Sequence, residues 1–187
     1  IAEERIWHDL KGVYQKYESL EYQFLIQDSE LLSELDNEKK KRISFLLSVA
    51  SRRVRKNRLL LYVGVKETLE AICASGTLCV ALTNAPFYQL DIRFKHLGLH
   101  KYFDSLFCSE AIMSAASDGA FKYEKRRQQL SRRYRRFTEL DRASQKPSTV
   151  PFELIKALYP GHDLVAVGDS LHRDLLPPGG LGHGARA

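Results

Sequence analysis

The sequence predicts an α/β fold with a parallel sheet, preceded by an all-helical unit, on three observations. From Leu59 onward, short apolar runs alternate with stretches of helical periodicity, the pattern of strands joined by helical crossovers. Ahead of Leu59 the apolar residues recur only at helical spacing, with no strand-like run. Finally, the run Leu164 to Val167 stops at Gly168 and is followed by Asp169 and Asp174. Two carboxylates just beyond the carboxyl end of a parallel strand lie where open α/β sheets bind their ligands. A chain of 187 residues has room for one such domain and a small accessory unit.

Taken in order, Ile6, Leu10, Val13, Tyr14 and Tyr17 mark a first amphipathic helix. A second follows Asp28 or Ser29 as cap and carries Leu31, Leu32 and Leu35. A third runs from about Lys39 to Arg55, with Ile43, Leu46, Leu47, Ala50 and Val54 on one face. Residues 1–61 therefore form the helical unit and 62–187 the α/β core. In the core, Val65 to Ser75 reads as a helix that Gly76 closes in the left-handed region. Leu78 to Leu82 is an apolar strand ended by Thr83 and Asn84. Pro86 suits the first turn of a helix bearing Leu90, Phe94 and Leu97, which Gly98 stops. Ser105 to Ser109 is a short strand, Val150 to Leu158 a helix behind Lys146-Pro147, and Leu164 to Val167 a buried strand.

The net charge of +6 is local. Residues 122–136 hold eight Lys or Arg against Glu124 alone, +7 in fifteen residues, so the rest of the chain is near −1. Tyr123, Leu130, Tyr134 and Phe137 fall on one face at helical spacing, predicting a basic amphipathic helix docked on the body within a helical insertion at about 111–145. A solvated basic face is favoured over a nucleic-acid contact, although Lys and Arg in this density suit phosphates. Cys73, Cys79 and Cys108 form no CxxC pair and read as buried, reduced thiols. No apolar run reaches the length of a membrane span and no signal peptide opens the chain, so a cytoplasmic protein without a membrane partner is expected. Ile1 already lies inside a helical pattern, and the sequence reads as a fragment.

Chemistry concentrates at strand ends. Asp169 and Asp174 form an acidic corner suited to a hard cation such as Mg²⁺, which one or two carboxylates hold with waters and substrate oxygens. The simpler use of this stretch is a turn in which Asp169 or Ser170 caps the next helix. Thr83 or Asn84 likewise serves as a helix cap or as a ligand group, and Lys146 as a solvated loop lysine or as a functional cation.

In their order, Tyr62-Val-Gly-Val-Lys-Glu-Thr-Leu69, then Leu82-Thr83-Asn84, then Lys146-Pro147, then Gly168-Asp169-Ser170 with Asp174 resemble the haloacid dehalogenase (HAD) superfamily of hydrolases over residues 62–182. The resemblance implies a Rossmannoid core with a helical cap. It assigns Thr83 to the transferring phosphoryl group, with Asn84 beside it in substrate binding. It assigns Lys146 to charge neutralisation and Asp169 to Mg²⁺, with Asp174 supporting the metal shell or a neighbouring lysine. The acidic form of the last motif implies a Mg²⁺-dependent phosphatase acting on a small phosphomonoester through an aspartyl phosphate.

Two departures qualify that implication. The family's nucleophile and general acid stand in a DxD motif at the end of its first, central strand, and no DxD occurs in this sequence. The sequence after Asp174 reaches only the approach to a last strand. The expectation is a core without its central and last strands, inactive alone, with the strands at Leu78 to Leu82 and Leu164 to Val167 each short of a neighbour. The alternative is a non-catalytic relative that binds nucleic acid or a protein partner through the basic insertion.

Overall fold

The computed structural model describes residues 3–17, 25, 26, 28–110, 117–179 and 184–186, with backbone alone at 17, 117–123, 178, 179 and 184–186. The chain divides into two compact units, Ile1–Leu60 and Leu61–Ala187.

The first unit is helical among its described residues: α1 (Glu3–Tyr17), α2 (Glu30–Ser33) and α3 (Asn37–Arg58). Asp9 ties α1 to the start of α2, accepting from the Glu30 N–H at 2.7 Å and from the Ser29 hydroxyl. Ser29 in turn caps α2 by accepting from Leu32 N–H at 3.1 Å. Asp36 caps α3 through Lys39 N–H at 2.8 Å, so this helix starts two residues ahead of the expected Lys39. The apolar face read for α3 is not buried: Leu46 is 55% and Val54 61% exposed.

The second unit opens with α4 (Val65–Ala74) and holds two parallel sheets. The larger contains β1 (Val80–Pro86), β2 (Ser105–Ser109) and β3 (Arg136–Leu140) in that order. The smaller pairs β4 (Val165–Val167) with β5 (Gly184–Arg186). In sequence, α5 (Phe87–Leu97) joins β1 to β2, α6 (Ser117–Arg133) lies between β2 and β3, and α7 (Val150–Leu158) between β3 and β4. A π-helical turn (Leu171–Leu175) and α8 (Leu176–Gly179) follow β4.

β2 is buried along its whole length, as befits a parallel strand flanked on both sides. Because successive side chains alternate across a strand, Leu106 and Phe107 enter different cores. Leu106 packs with Phe87, Leu90, Phe94, Leu99, Tyr102, Leu130 and Tyr134, and Phe107 with Leu140, Ile155 and Tyr159. The result is a helix-covered α/β layer.

Three further sequence expectations change in the insertion and the last two strands. The insertion is not wholly helical: α6 ends at Arg133, and Arg136 to Leu140 pair with β2 as β3. Phe137 therefore belongs to a strand, where an aromatic and a β-branched residue gain register with β2. The side chains of Lys122 and Tyr123 lie outside the described residues. Second, the strand at Leu164 to Val167 is present but not buried, with Val165 61% and Val167 80% exposed. It pairs on one side only among the described residues, and burial of a strand needs neighbours. Third, a short last strand, β5, forms where only its approach was expected; Gly184 to Arg186 suffice for three ladder positions.

The basic helix is docked rather than merely solvated. Arg126 Nε reaches the buried Asp91 carboxylate at 3.4 Å, and Arg127 pairs with Glu139 on β3. Leu130 and Tyr134 are buried. Asp91 also faces Lys95 Nζ at 3.0 Å and His100 Nε2 at 3.3 Å, while His100 Nδ1 meets the Tyr134 hydroxyl. Burial first, then the Arg133 guanidinium, hold His100 below the usual imidazole range despite Asp91. Burial pushes the Tyr134 phenol up to about 12.

Candidate functional site

The carboxyl end of β1 supplies Thr83 and Asn84. Pairing with β2 is regular from Val80 to Leu82, is interrupted over Thr83 to Ala85, and resumes with Pro86 opposite Ser109. The freed segment satisfies itself locally: Thr83 Oγ1 accepts from Ala85 N–H at 3.1 Å. That bond uses a lone pair of the hydroxyl and not its proton. Pro86, which has no N–H to lose, stands as the cap position of α5 rather than within its first turn.

Asn84 points at Lys146, 62 residues away in sequence. Its amide nitrogen donates to Lys146 O at 2.8 Å, and its Oδ1 accepts from Lys146 N–H at 3.1 Å. One side chain thus grips both polar groups of one peptide residue, on the amino side of a cis Lys146–Pro147 bond. The Lys146 ammonium then donates to Leu82 O at 3.3 Å and to Asp174 Oδ1. Four hydrogen bonds fix this lysine, whose side chain is only 15% exposed.

Asp174 comes from the π-helical turn after β4. Its second oxygen accepts from Ser170 N–H at 3.1 Å, while Ser170 Oγ accepts from Arg173 N–H at 3.2 Å and caps the turn. Burial alone pushes the Asp174 carboxyl up. The Lys146 ammonium, the Ser170 N–H and the adjacent Asp169 side chain outweigh it and hold the carboxyl below its ordinary value. Gly168 makes this approach possible: a Cβ there would stand 2.3 Å from Asp174 Cβ and 2.8 Å from its Oδ2. No side chain fits that space.

Hydrogen bonds through Lys146 therefore join Asn84 and Asp174, with Asp169 beside Asp174, while Thr83, next to Asn84 in β1, bonds to Ala85 and not to the lysine. Of the two roles read for Asp174, it is engaged with the lysine; Asp169 is the exposed carboxylate of the pair. Among the described residues no group of three or more His, Cys, Asp or Glu converges as a metal cage. Two contributions to this arrangement were not read from the sequence. The Leu82 carbonyl carries no side-chain signal at all. Gly168 had one, a glycine directly between a strand and an acidic turn, but its close contact with Asp174 requires the fold. The residues of the alternative binding surface are partly committed elsewhere, Arg126 to Asp91 and Arg127 to Glu139. No described helix is long and apolar enough to cross a membrane.

No protein-family model matches the chain, and no curated protein matches it. Among solved structures, it is similar to the crystal structure of a candidate beta-phosphoglucomutase from Thermotoga maritima. The identity is 20%, with 98% of this chain and 86% of that chain covered, at a TM-score of 0.48.

Proposed function

We propose that Thr83, Lys146 and Asp169, with Asn84 and Asp174 as supports, form the phosphate-binding half of a HAD-like, Mg²⁺-dependent phosphatase site for a small phosphomonoester. One observation carries the reading: a lysine fixed at backbone and ammonium by Asn84, Leu82 O and Asp174, at the ends of two strands. A solvated loop lysine has no need of four partners. Phosphoryl transfer depends mainly on such pre-positioned charge, because the protein has little covalent work to do.

In this reading the Lys146 ammonium neutralises equatorial oxygens of the phosphoryl group and the Thr83 hydroxyl donates to another. Asn84 and Asp174 act on substrate only through Lys146, by holding it. The donor set fits Mg²⁺, since Asp169 offers an exposed hard oxygen ligand and one carboxylate with waters is sufficient. When bound, the cation would add positive charge to neutralise the phosphoryl oxygens. The attacking carboxylate has no counterpart in a sequence without DxD, and Asp169 and Asp174 follow a different strand from the one that would carry it. The reading puts the strand that would carry it between β1 and β4, each of which keeps one edge unpaired among the described residues. This chain alone then binds phosphate without turning over an ester.

The test is calorimetric titration of inorganic phosphate into the chain with and without Mg²⁺. Binding should require Mg²⁺. Lys146→Ala and Asp169→Asn should each weaken it by about 1.5–3 kcal/mol, the worth of a hydrogen bond to a charged group, or roughly ten- to a hundredfold. Phosphate binding that is absent from the folded chain, or unchanged in Asp169→Asn, overturns the reading.

A further inference from the structure

Helix α4 ends in a tight reversal. Gly76, at φ 78°, donates its N–H to Cys73 O at 3.1 Å, and Thr77 N–H reaches back to Ile72 O at 3.3 Å. This is the hydrogen-bond pattern of a helix closed by a left-handed glycine, and it turns the chain back along the helix end. Cys79 then returns to the neighbourhood Cys73 occupies. The Cys73 thiol donates to Tyr102 O at 3.5 Å, and Asp104 N–H donates to Cys79 O at 2.9 Å, so both residues attach to the same three-residue stretch. Cys73 is exposed and Cys79 half-buried. This differs from the sequence expectation of buried thiols, because the reversal at Gly76 leaves the last turn of α4 in solvent.

We infer that Cys73 and Cys79 are a redox-active dithiol that closes to a disulfide when a hydroperoxide oxidises the exposed Cys73. The Cys73 thiolate attacks the O–O bond of the hydroperoxide ROOH, which breaks to give Cys73 sulfenic acid and an alkoxide; the proton released when the thiol ionised then converts that alkoxide to the alcohol ROH. The Cys79 sulfur then attacks the Cys73 sulfur; the S–O bond breaks, the S–S bond forms, and the hydroxyl leaves as water with the Cys79 proton. The peroxide is reduced by two electrons and the dithiol oxidised by two. The division of labour follows from the surroundings. Burial first, then the neighbouring Cys73 thiol, push the Cys79 thiol up, which suits the resolving partner and not the attacking one. The third cysteine provides an internal control: Cys108 is fully buried in β2, its thiol pushed up to about 12.

The pair lies at the amino end of β1, opposite the end that carries Thr83 and Asn84, and the inference stands independently of the phosphatase reading. Both cysteines fall in one tryptic peptide, Glu67 to Arg93. The full chain, reduced and then treated with equimolar hydrogen peroxide, is digested without reductant and analysed by mass spectrometry. The expected peptide lacks two hydrogens, resists alkylation at both cysteines and recovers both sites after reduction. In Cys79→Ser, Cys73 should instead accumulate as a sulfenic acid trapped by dimedone, while Cys108→Ser should leave the closure intact. A peroxide-treated chain whose Cys79 alkylates fully, or whose only disulfide joins two molecules through Cys73, overturns the inference.

Discussion

Replacing Lys146 by Met keeps most of the side-chain volume and removes the ammonium. Two losses follow from the structure. Leu82 O loses a hydrogen bond, worth about 1 kcal/mol. Asp174, whose side chain is 12% exposed, keeps the Ser170 N–H but no cation beside it. Breaking a buried ion pair from one side costs about 3–5 kcal/mol, because the remaining charge is left uncompensated. The residual exposure of both partners places the total here near 3 kcal/mol, about two orders of magnitude in the folding equilibrium. The pH dependence separates this cause from lost packing. In the parent chain the folded-state pKa of Asp174 is depressed, so its contribution is present above the unfolded value and is lost as pH falls through the folded one. In Lys146→Met, burial is opposed only weakly and the folded-state pKa rises. A raised carboxyl contributes stability below its unfolded pKa and loses it as pH rises. The deficit of the variant should therefore be large at pH 7 and shrink towards pH 4. Urea titrations followed by far-ultraviolet circular dichroism at the two pH values measure it. The double variant Lys146→Met/Asp174→Leu should recover most of the loss at pH 7, since an apolar pair carries no stranded charge. An equal deficit at both pH values, or no recovery in the double variant, would refute the argument.

Gly168→Ala places a methyl within 2.8 Å of three Asp174 atoms and should cost about 1–3 kcal/mol, the range for overpacking, seen as a lowered thermal midpoint together with weaker phosphate binding. His100 has a depressed folded-state pKa, so its neutral form contributes stability above the ordinary imidazole value of about 6.5, lost as pH falls below it. His100→Gln should flatten the fall in stability between pH 7 and pH 5, and an unchanged slope in the same urea titrations would count against a buried neutral imidazole.

What could be read from the sequence were features that a single segment specifies by itself. Ser105 to Ser109 is legible as a strand because a run buried on both faces is apolar without alternation, as Leu106, Phe107 and Cys108 are. The acidic corner is legible because Gly168, Asp169 and Asp174 follow a valine-rich run at fixed spacing. β3 is not, because Arg136 to Leu140 mixes charge with apolar residues directly behind a basic helix, and only pairing with β2 makes it a strand. The exposure of Val165 and Val167 was equally out of reach, since apolar character signals a strand but not whether anything covers it. Asn84 shows the limit most sharply. Its residue type suits a turn, a cap or a ligand contact, and its grip on a peptide unit 62 residues later has no local signature.

The separation of the two sheets bears on how the second unit opens. No backbone ladder joins β1 to β4 among the described residues, so the cooperativity that ladder bonds confer stops at each sheet's border. Among the contacts that cross that border are the packing of Leu164 against the Phe107 core and the Lys146 pairing with Leu82 O and Asp174. Local opening free energies range from near zero to the global value, and regions with few buried contacts open first. Amide hydrogens of β2, enclosed on both edges, should exchange last, and those of β4 and β5 well before them. Acidification that protonates Asp174 releases one of these ties and widens that interval. The lysine then acts as a fastener between two independently breathing pieces of one unit.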